Sequence, residues 1–173
     1  MHEGLALRAF CEDDLSFLDR LCADPEALGP FEWPGFGDVR ARRRRFEQDG
    51  YVGADSAALA VVLADGTLAG IASWKARHRG GPDRGICYEI GLALLPEHRG
   101  HGLGTAAQRL LADYLLTSTT VHRLEAFTDA ENVAEQKALE RIGFQREGVM
   151  REVIFQNGSW RDAVIYALLR DGP

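Results

Sequence analysis

The alternation of apolar and polar segments along the chain predicts a mixed architecture of strands and helices. Short, mostly apolar segments bounded by turn residues predict seven strands, over residues 5–10, 57–63, 68–74, 87–95, 121–127, 144–155 and 160–169. Apolar residues spaced three and four apart, together with helix end signals, predict four helices. The first begins near residue 12, and the other three cover residues 38–48, 103–118 and 131–142. The elements follow one another in the order β, α, α, β, β, β, α, β, α, β, β.

The length of the chain fits one folded domain. Its 173 residues, of which 46% are hydrophobic and 27% are charged, are sufficient for a single hydrophobic core. No internal repeat, low-complexity tract or second domain boundary interrupts the pattern, so we expect residues 1–173 to form one domain.

The most informative segment is residues 86–113, in which a buried strand leads into a glycine-rich loop and then a helix. The apolar run ends at Pro96, glycines follow at positions 100, 102 and 104, and helical spacing begins at Leu103. Glycine lets the backbone approach a ligand closely, and a helix N-terminus offers unpaired N–H groups with partial positive charge. The loop is therefore predicted to bind a phosphate group.

Two other interpretations of this loop stay open from spacing alone. Closely spaced glycines also form tight turns that bind nothing. The spacing Gly102-x-Gly104-x-x-Ala107, with Glu125 about twenty residues further on, also fits the dinucleotide-binding fingerprint. That fingerprint requires the strand to run directly into the first glycine, whereas residues 97–99 intervene here.

The same residues resemble a motif of a known enzyme family. Arg99-x-x-Gly102-x-Gly104, after an apolar strand and Pro96, resembles the loop that binds the acyl-CoA pyrophosphate in GNAT N-acetyltransferases. The preceding Tyr-Glu-Ile-Gly, residues 88–91, resembles the RimJ/RimL-type branch of that family.

The match continues downstream and implies a fold. Asn132 and the Gly-Phe pair at residues 143–144 extend the resemblance, which covers about residues 57–169. It implies an α/β (α+β) GNAT fold with a single, mostly antiparallel seven-stranded sheet flanked by helices. The parallel central pair that splays apart in this fold would be residues 87–95 and 121–127, with the long helix as their crossover.

The resemblance also implies how acetyl-CoA, the co-substrate, is held. The backbone of Leu92, Ala93 and Leu94 would hold the pantetheine arm, and the Leu94 amide would stabilise the thioester oxygen as it gains charge. The other cofactor-binding residues that it implies are Arg99, Gly100, His101, Gly102, Leu103, Gly104, Thr105 and Asn132. For Arg99 the alternative role is a salt bridge with Glu97, and for Asn132 it is a helix N-cap.

Two positions depart from the family pattern. RimJ/RimL-type proteins often place Ser three residues after the Asn, where it can protonate the thiolate, and this chain has Glu135. Other branches place Tyr seven residues after it, and this chain has Leu139. An exposed Glu has a pKa of about 4.3 and is ionised at neutral pH, so Glu135 is not expected to donate the proton. Tyr114, Tyr88, water or no acid at all remain open as the donor.

Glu89 is the candidate general base. It lies between Tyr88 and Ile90 in an otherwise apolar strand, where a carboxylate is costly unless it is paired. Desolvation would raise the pKa of this carboxyl and make it a better base near neutral pH. The alternative is a structural role, in which Glu89 pairs with an Arg or Lys across the sheet.

Aromatic residues indicate the acceptor side. Residues 25–37 combine Pro and Gly with aromatic side chains, so they are predicted to form a loop whose rings either line a pocket or cap the core. We predict that Phe31, Trp33 and Trp74, together with Glu89, bind the acceptor substrate.

Composition narrows the choice of partners. A net charge of −6 argues against a nucleic-acid partner and mildly favours a cationic ligand. The three cysteines, Cys11, Cys22 and Cys87, show no metal spacing, so no metal is expected, and they fit a reducing cytoplasm with Cys87 buried in its strand. Neither a signal peptide nor an apolar run of about eighteen residues is found, so no membrane partner is expected.

These observations predict a cytoplasmic, acetyl-CoA-dependent N-acetyltransferase. The acceptor would be a primary amine, either a protein N-terminus or a small molecule, which attacks the thioester directly in a ternary complex. Three alternatives stay open: transfer of a larger acyl group, a non-catalytic CoA-binding or sensor domain, and, more distantly, a nicotinamide-binding protein. A homodimer is also compatible with the sequence.

Overall fold

Seven strands pair into one mixed sheet in the computed structural model, which describes residues 4–80 and 85–170. The strands are β1 (Leu5–Arg8), β2 (Ser56–Leu63), β3 (Leu68–Arg77), β4 (Cys87–Leu94), β5 (Arg123–Asp129), β6 (Gln145–Gln156) and β7 (Ser159–Leu169). They lie in the order β1-β2-β3-β4-β5-β7-β6, and every neighbouring pair is antiparallel except β4 and β5. The predicted single, mostly antiparallel seven-stranded sheet with a parallel central pair is confirmed.

The described part of the chain has five α-helices, one more than predicted. They are α1 (Leu15–Ala23), α2 (Pro25–Leu28), α3 (Val39–Asp49), α4 (Leu103–Ser118) and α5 (Val133–Arg141). The additional helix is α2, a single turn at the start of the predicted loop. The Asp24 side chain accepts a hydrogen bond from the Glu26 backbone N–H at 3.0 Å, and Pro25 fits the first helical position.

The parallel pair β4 and β5 separates part of the way along its length. Only three residue pairs join these strands: Tyr88 with Leu124, Glu89 with Glu125, and Ile90 with Ala126. Beyond Ile90, β4 continues against β3 as far as Leu94, while β5 continues against β7 as far as Asp129. The sheet therefore opens beyond Ile90, as the family resemblance implies, and α4 crosses between the two strands.

Helices cover both faces of the sheet and enclose two hydrophobic cores. Helices α4 and α5 bury one face, where Leu111, Leu115, Leu124, Leu139 and Tyr166 are almost fully enclosed. Helices α1, α2 and α3 cover the opposite face around a second core, to which Phe10 and Tyr51 contribute. The opening between β4 and β5 thus has a rigid frame on each side.

Salt bridges hold the other end of the parallel pair closed. Glu125 is 1% exposed, and its carboxylate accepts hydrogen bonds from Arg79 at 2.7 Å and from Arg123 at 2.8 Å. Beside it on β4, Glu89 accepts two hydrogen bonds from Arg77. These five side chains link the β3–β4 connection, β4 and β5 at the point where the two parallel strands still pair.

The cysteines and the helix lengths add two further observations. Cys22 and Cys87 are buried and Cys11 is exposed, all three as free thiols, so the burial predicted for Cys87 is confirmed. Within residues 4–80 and 85–170, no helix is both long enough and apolar enough to cross a bilayer.

Candidate active site

A cavity of about 190 Å³ lies where β4 leaves β5, and we call it the splay cavity. It is lined by Leu28, Pro30, Phe31, Glu32, Leu92, Ala93, Leu94, Arg99, Gly104, Asn132 and Glu135. The structure therefore brings together three separate stretches from which cofactor-binding residues were predicted: the end of β4, the loop before α4 and the start of α5.

The backbone of β4 presents hydrogen-bonding groups to this opening. The Leu95 N–H donates to the Ala69 carbonyl at 2.9 Å, so the backbone groups of Leu95 face β3. Backbone groups alternate in direction along an antiparallel ladder, which turns those of Leu94 and Leu92 toward the opening. Arg99 Nε donates to the Leu94 carbonyl at 2.8 Å from that side, in agreement with this alternation. The N–H groups of Leu92 and Leu94 are therefore placed to donate to a ligand.

The glycine loop places the N-terminus of α4 against the same opening. Gly100 and Gly102 have φ values of 81° and 76°, a left-handed conformation that favours glycine, and no side chain caps the helix at Gly102. The N–H groups of the first turn, at Leu103, Gly104 and Thr105, have no place in the helical hydrogen-bond ladder. An anion at this helix end would meet both free donors and the positive end of the helix dipole.

Arg99 connects the loop to α2 through backbone contacts. In addition to its bond with Leu94, its guanidinium donates to the carbonyls of Ala27 at 2.7 Å and Glu26 at 3.1 Å. Glu97 pairs with Arg20 at 2.7 Å, so the salt bridge considered as the alternative for Arg99 is wrong. Among the described residues Arg99 contacts no carboxylate, so its positive charge at the cavity is not neutralised by an ion pair.

Asn132 and His101 differ in how closely they approach the cavity. Asn132 lines the cavity and also caps α5, since its Oδ1 accepts a hydrogen bond from the Glu135 N–H at 3.2 Å. The N-cap considered as its alternative role is therefore present, and it leaves the side-chain amide free to donate. His101 is an exposed residue of the glycine loop, and its ring is not part of the cavity lining.

The environment of Glu135 differs from the one expected. The side chain is partly buried in the cavity wall, where it accepts a hydrogen bond from the Gln108 amide. Burial raises its pKa, and the hydrogen bond from Gln108 opposes that rise without cancelling it. The expectation of an exposed Glu135 with an ordinary pKa is wrong because α4 covers this side of α5.

A second carboxylate in the cavity, Glu32, was missed by the sequence reasoning. It follows Phe31 in the loop after α2, and burial together with the negative charge of Glu135 raises its pKa to about 7. By surface area Glu32 is nonetheless an exposed residue at the open side of the cavity, so contact with solvent limits this rise in its pKa. The sequence did contain a signal for this residue, since Glu32 is a charged residue between Phe31 and Trp33 in a loop rich in Pro and Gly.

Glu89 is engaged in the alternative role considered for it. Its carboxylate forms two hydrogen bonds with Arg77, at 2.7 and 2.8 Å, and lies 3.9 Å from Arg79. It contributes to a separate depression of about 410 Å³ on the α3 side of β3 and β4, and it does not line the splay cavity. The catalytic role of Glu89 stays a prediction, and this geometry favours the structural role.

We therefore expect the Glu89→Gln variant to lose stability and to keep its activity. The exchange removes a partly exposed ion pair, which should lower the free energy of unfolding by about 1 kcal/mol. Turnover should stay within about tenfold of wild type, or roughly 1.4 kcal/mol in the activation barrier. Urea denaturation and kcat/KM measured on the same preparations test both statements. A thousandfold loss of kcat at unchanged stability would restore Glu89 as the base.

The structure separates the three aromatic residues predicted to bind the acceptor. Phe31 and Trp33 line a cavity of about 280 Å³ that adjoins the splay cavity. Trp74 instead pairs with Ile90, and its ring lies 6.0 Å from the ring of Tyr114 on the α4 side of the sheet. Side chains alternate between the faces of a strand, so the Trp74 ring is on the face opposite Glu89. Among the described residues, no group of three His, Cys, Asp or Glu could hold a metal ion.

Comparison with curated proteins finds relatives that share part of this chain. Over 80 residues it is 38% identical to the probable N-acetyltransferase YjcK of Bacillus subtilis, covering 46% of this chain and 44% of that protein. It is 33% identical over 76 residues to the spermidine N(1)-acetyltransferase of Escherichia coli, covering 44% and 41%. It is 30% identical over 82 residues to the ribosomal protein uS5 alanine N-acetyltransferase of the same organism, covering 47% and 42%. Each match spans less than half the length of the curated relative.

Solved structures share the fold over nearly the whole chain. The spermidine N-acetyltransferase of Vibrio cholerae in complex with CoA and spermine superposes with a TM-score of 0.85 at 21% identity, covering 98% of this chain and 97% of that one. A GNAT acetyltransferase of Bacillus anthracis gives a TM-score of 0.77 at 24% identity, covering 97% and 96%. Residues 5–145 match the acetyltransferase (GNAT) domain family. Because that match covers most of the chain, this protein belongs to the GNAT acetyltransferase family.

Proposed function

We propose that this protein transfers the acetyl group of acetyl-CoA to a primary amine, by direct attack of the amine on the thioester. The observation that carries the proposal is the opening between β4 and β5. There the outward N–H groups of Leu92 and Leu94 lie beside the uncapped N-terminus of α4. The helix end is suited to the phosphates of CoA, and the strand edge is suited to its extended pantetheine arm. Because the two lie side by side, they can bind the two ends of one CoA molecule.

Each part of the splay cavity has a distinct task in this proposal. The N–H groups of Leu103, Gly104 and Thr105 bind the pyrophosphate, and residues 99–102 shape the loop around it. The N–H groups of Leu92 and Leu94 hold the pantetheine arm and donate to the thioester oxygen. A donor that is already oriented stabilises the charge that develops on this oxygen, and losing one such donor typically costs about 3 kcal/mol. Asn132 donates its free amide N–H groups to the same arm.

The acceptor class is supported by the named relatives. Spermidine and the alanine of a ribosomal protein are both amines, and the two enzymes named for them match this chain at similar identity. We place the chain in the RimJ/RimL-type branch on the Tyr-Glu-Ile-Gly motif of β4. A cytoplasmic location and a homodimer belong to the same proposal.

The proposal is tested by release of free thiol from acetyl-CoA with a panel of amines. The panel contains diamines, amino sugars and short peptides with free N-termini, and acetylated peptides that lack a free amine serve as the control. We expect thiol release that depends on the amine, with a matching gain of one acetyl group in its mass. Binding of acetyl-CoA without any transfer would point to a sensor domain, and binding of NADH instead would point to a dinucleotide-binding protein.

A further inference from the structure

The cavity of about 280 Å³ beside the splay cavity has walls suited to a cation, and we call it the aromatic cavity. Its rings belong to Phe31, Trp33, Phe127 and Phe155, and its acidic residues are Glu32 and Asp129, of which Asp129 has a buried carboxylate that is paired with Arg161. The guanidinium of Arg79 already lies 5.4 Å from the centre of the Phe127 ring, so one wall of the cavity carries a cation–π contact. Aromatic faces and carboxylates around one space are the chemistry that binds an alkylammonium ion.

Two buried polar side chains in this cavity have hydrogen-bonding capacity to spare. Thr128 is 3% exposed and Gln156 is 8% exposed, and both line the cavity. Within the described residues, Thr128 Oγ1 and Gln156 Oε1 have no hydrogen-bond partner, although the Gln156 amide N–H donates to the Trp33 carbonyl at 3.4 Å. Both oxygens are almost without accessible surface, so they lie behind the cavity wall, and the rings and Glu32 are the groups that a ligand in the cavity would contact.

We propose that the aromatic cavity binds the acceptor amine as an alkylammonium ion and that Glu32 is the catalytic group that takes its proton. The inference rests on the proposed acetyl transfer and names the base and the substrate class for that reaction. Glu32 lines both the aromatic cavity and the splay cavity. It therefore lies between a bound amine and the strand edge of β4, where the thioester is expected.

The charges around Glu32 suit it to accept a proton near neutral pH. Glu135 faces it from α5, Asp129 from the end of β5, and Arg99 from the loop before α4. The Asp129 carboxylate is paired with Arg161 at 3.3 Å, whereas Glu135 is the negative charge that acts on Glu32. Burial and Glu135 raise the pKa of Glu32 to about 7, and a base is most effective when its pKa lies near the working pH.

The transfer balances in protons and electrons with Glu32 as the base. Glu32 takes one proton from the ammonium ion and releases it to solvent. The neutral nitrogen then forms the C–N bond, the C–S bond breaks, and the electron pair of that bond stays on the CoA sulfur. The nitrogen loses its second proton as the amide forms, and solvent carries that proton to the CoA thiolate. Glu135 stays ionised, because its negative charge is one cause of the raised pKa of Glu32.

The test compares the pH dependence of kcat/KM for wild type, Glu32→Gln, Glu32→Asp and the control Glu47→Gln on the exposed side of α3. The acceptor is 1,4-diaminobutane, with 1-aminobutane as a matched amine that lacks the second charge. We expect Glu32→Gln to lower kcat/KM by about 10²- to 10⁴-fold and to remove the acidic limb near pH 7. Glu32→Asp should recover part of the rate, and Glu47→Gln should behave as wild type.

A Trp33→Leu variant tests the substrate class separately. Wild type should have a lower KM for the diamine than for the monoamine. Removal of the indole ring should raise the KM for the diamine by about 3- to 30-fold and leave kcat nearly unchanged. A KM for the diamine that Trp33→Leu leaves unchanged would overturn the assignment of this cavity to an alkylammonium acceptor.

Failure of this inference is distinguishable from failure of the proposed function. If wild type acetylates amines while Glu32→Gln keeps the wild-type rate and acidic limb, Glu32 is not the base and the acetyltransferase assignment stands. If wild type neither binds acetyl-CoA by calorimetry nor acetylates any amine, both the proposed function and the assignment of Glu32 as the base are wrong. Acetyl-CoA affinity measured for each variant separates loss of chemistry from loss of the cofactor, because neither Glu32 nor Trp33 is expected to bind it.

Discussion

Replacing Gly104 with Asp is expected to weaken acetyl-CoA binding more than a hundredfold while the protein stays folded. A Cβ at this position would lie 3.5 Å from Leu92 Cδ2 and 3.7 Å from Leu94 Cδ1, which are ordinary contacts. The added carboxylate would stand at the N-terminus of α4, where the pyrophosphate is expected. Two like charges about 4 Å apart near a protein surface repel by up to about 4 kcal/mol, and about 3 kcal/mol is enough for the expected loss.

The Gly104→Ala variant is the matched control for this experiment. It adds the Cβ without the charge, and it should bind acetyl-CoA within about tenfold of wild type, a difference of roughly 1.4 kcal/mol. Isothermal titration calorimetry on the two variants measures the difference directly. Equal affinities for Gly104→Asp and wild type would remove the pyrophosphate from this helix end.

Replacing Glu125 with Gln is expected to lower the free energy of unfolding by about 2 kcal/mol. The carboxylate accepts three hydrogen bonds from Arg79 and Arg123, and one such charge-assisted bond contributes about 1.5–3 kcal/mol in proteins. The total loss of stability for all three hydrogen bonds should be only about as large as the lower end of the range for one such bond, for two reasons. Arg79 is half exposed to water, and Arg123 keeps its second partner, Glu147.

The control for this prediction is Glu147→Gln, because Glu147 pairs with the same Arg123 from an exposed position. We expect that variant to lose less than about 1 kcal/mol in urea denaturation. Equal losses for the two variants would show that burial of Glu125 adds nothing to its ion pairs.

The pH dependence of stability offers a second test of Glu125. Burial alone would raise its pKa, but hydrogen bonds from Arg79 and Arg123 outweigh that effect and lower it. A lowered pKa in the folded state stabilises the protein above the unfolded value of about 4.3 and loses that contribution as the pH falls through the folded value. Wild type should therefore lose more stability than Glu125→Gln when the pH is lowered from 5 to about 3.

The features predictable from the sequence are those set by local chemistry. Turn residues at Asp65-Gly66 and Asn157-Gly158 define two hairpins, and the glycines before Leu103 define the phosphate-type loop. Helix α2 was not predicted, because a single turn is too short to show helical spacing and depends on the Asp24 cap. Such short elements are decided by capping and packing, which composition alone does not reveal.

The features that could not be predicted depend on contacts between distant residues. Arg77 reaches Glu89 only because β3 and β4 pair in register, so a half-buried carboxylate that looks catalytic in the sequence has a structural partner. Glu32 and Glu135 are far apart in the chain, and they line one cavity because the loop after α2 lies beside the start of α5 in the folded protein. Pairing register and cavity geometry are tertiary properties, so they became visible only in the structure.

Hydrogen–deuterium exchange with and without acetyl-CoA tests the central claim most directly, because the claim concerns particular backbone N–H groups. We expect acetyl-CoA to slow exchange at residues 92–94 and 103–105 in wild type and to have no such effect in the Gly104→Asp variant. No change in exchange at these two stretches would contradict the assignment of the β4–β5 opening as the acetyl-CoA site. The same holds if exchange slows only in other segments, for example α3 and the depression beside Glu89.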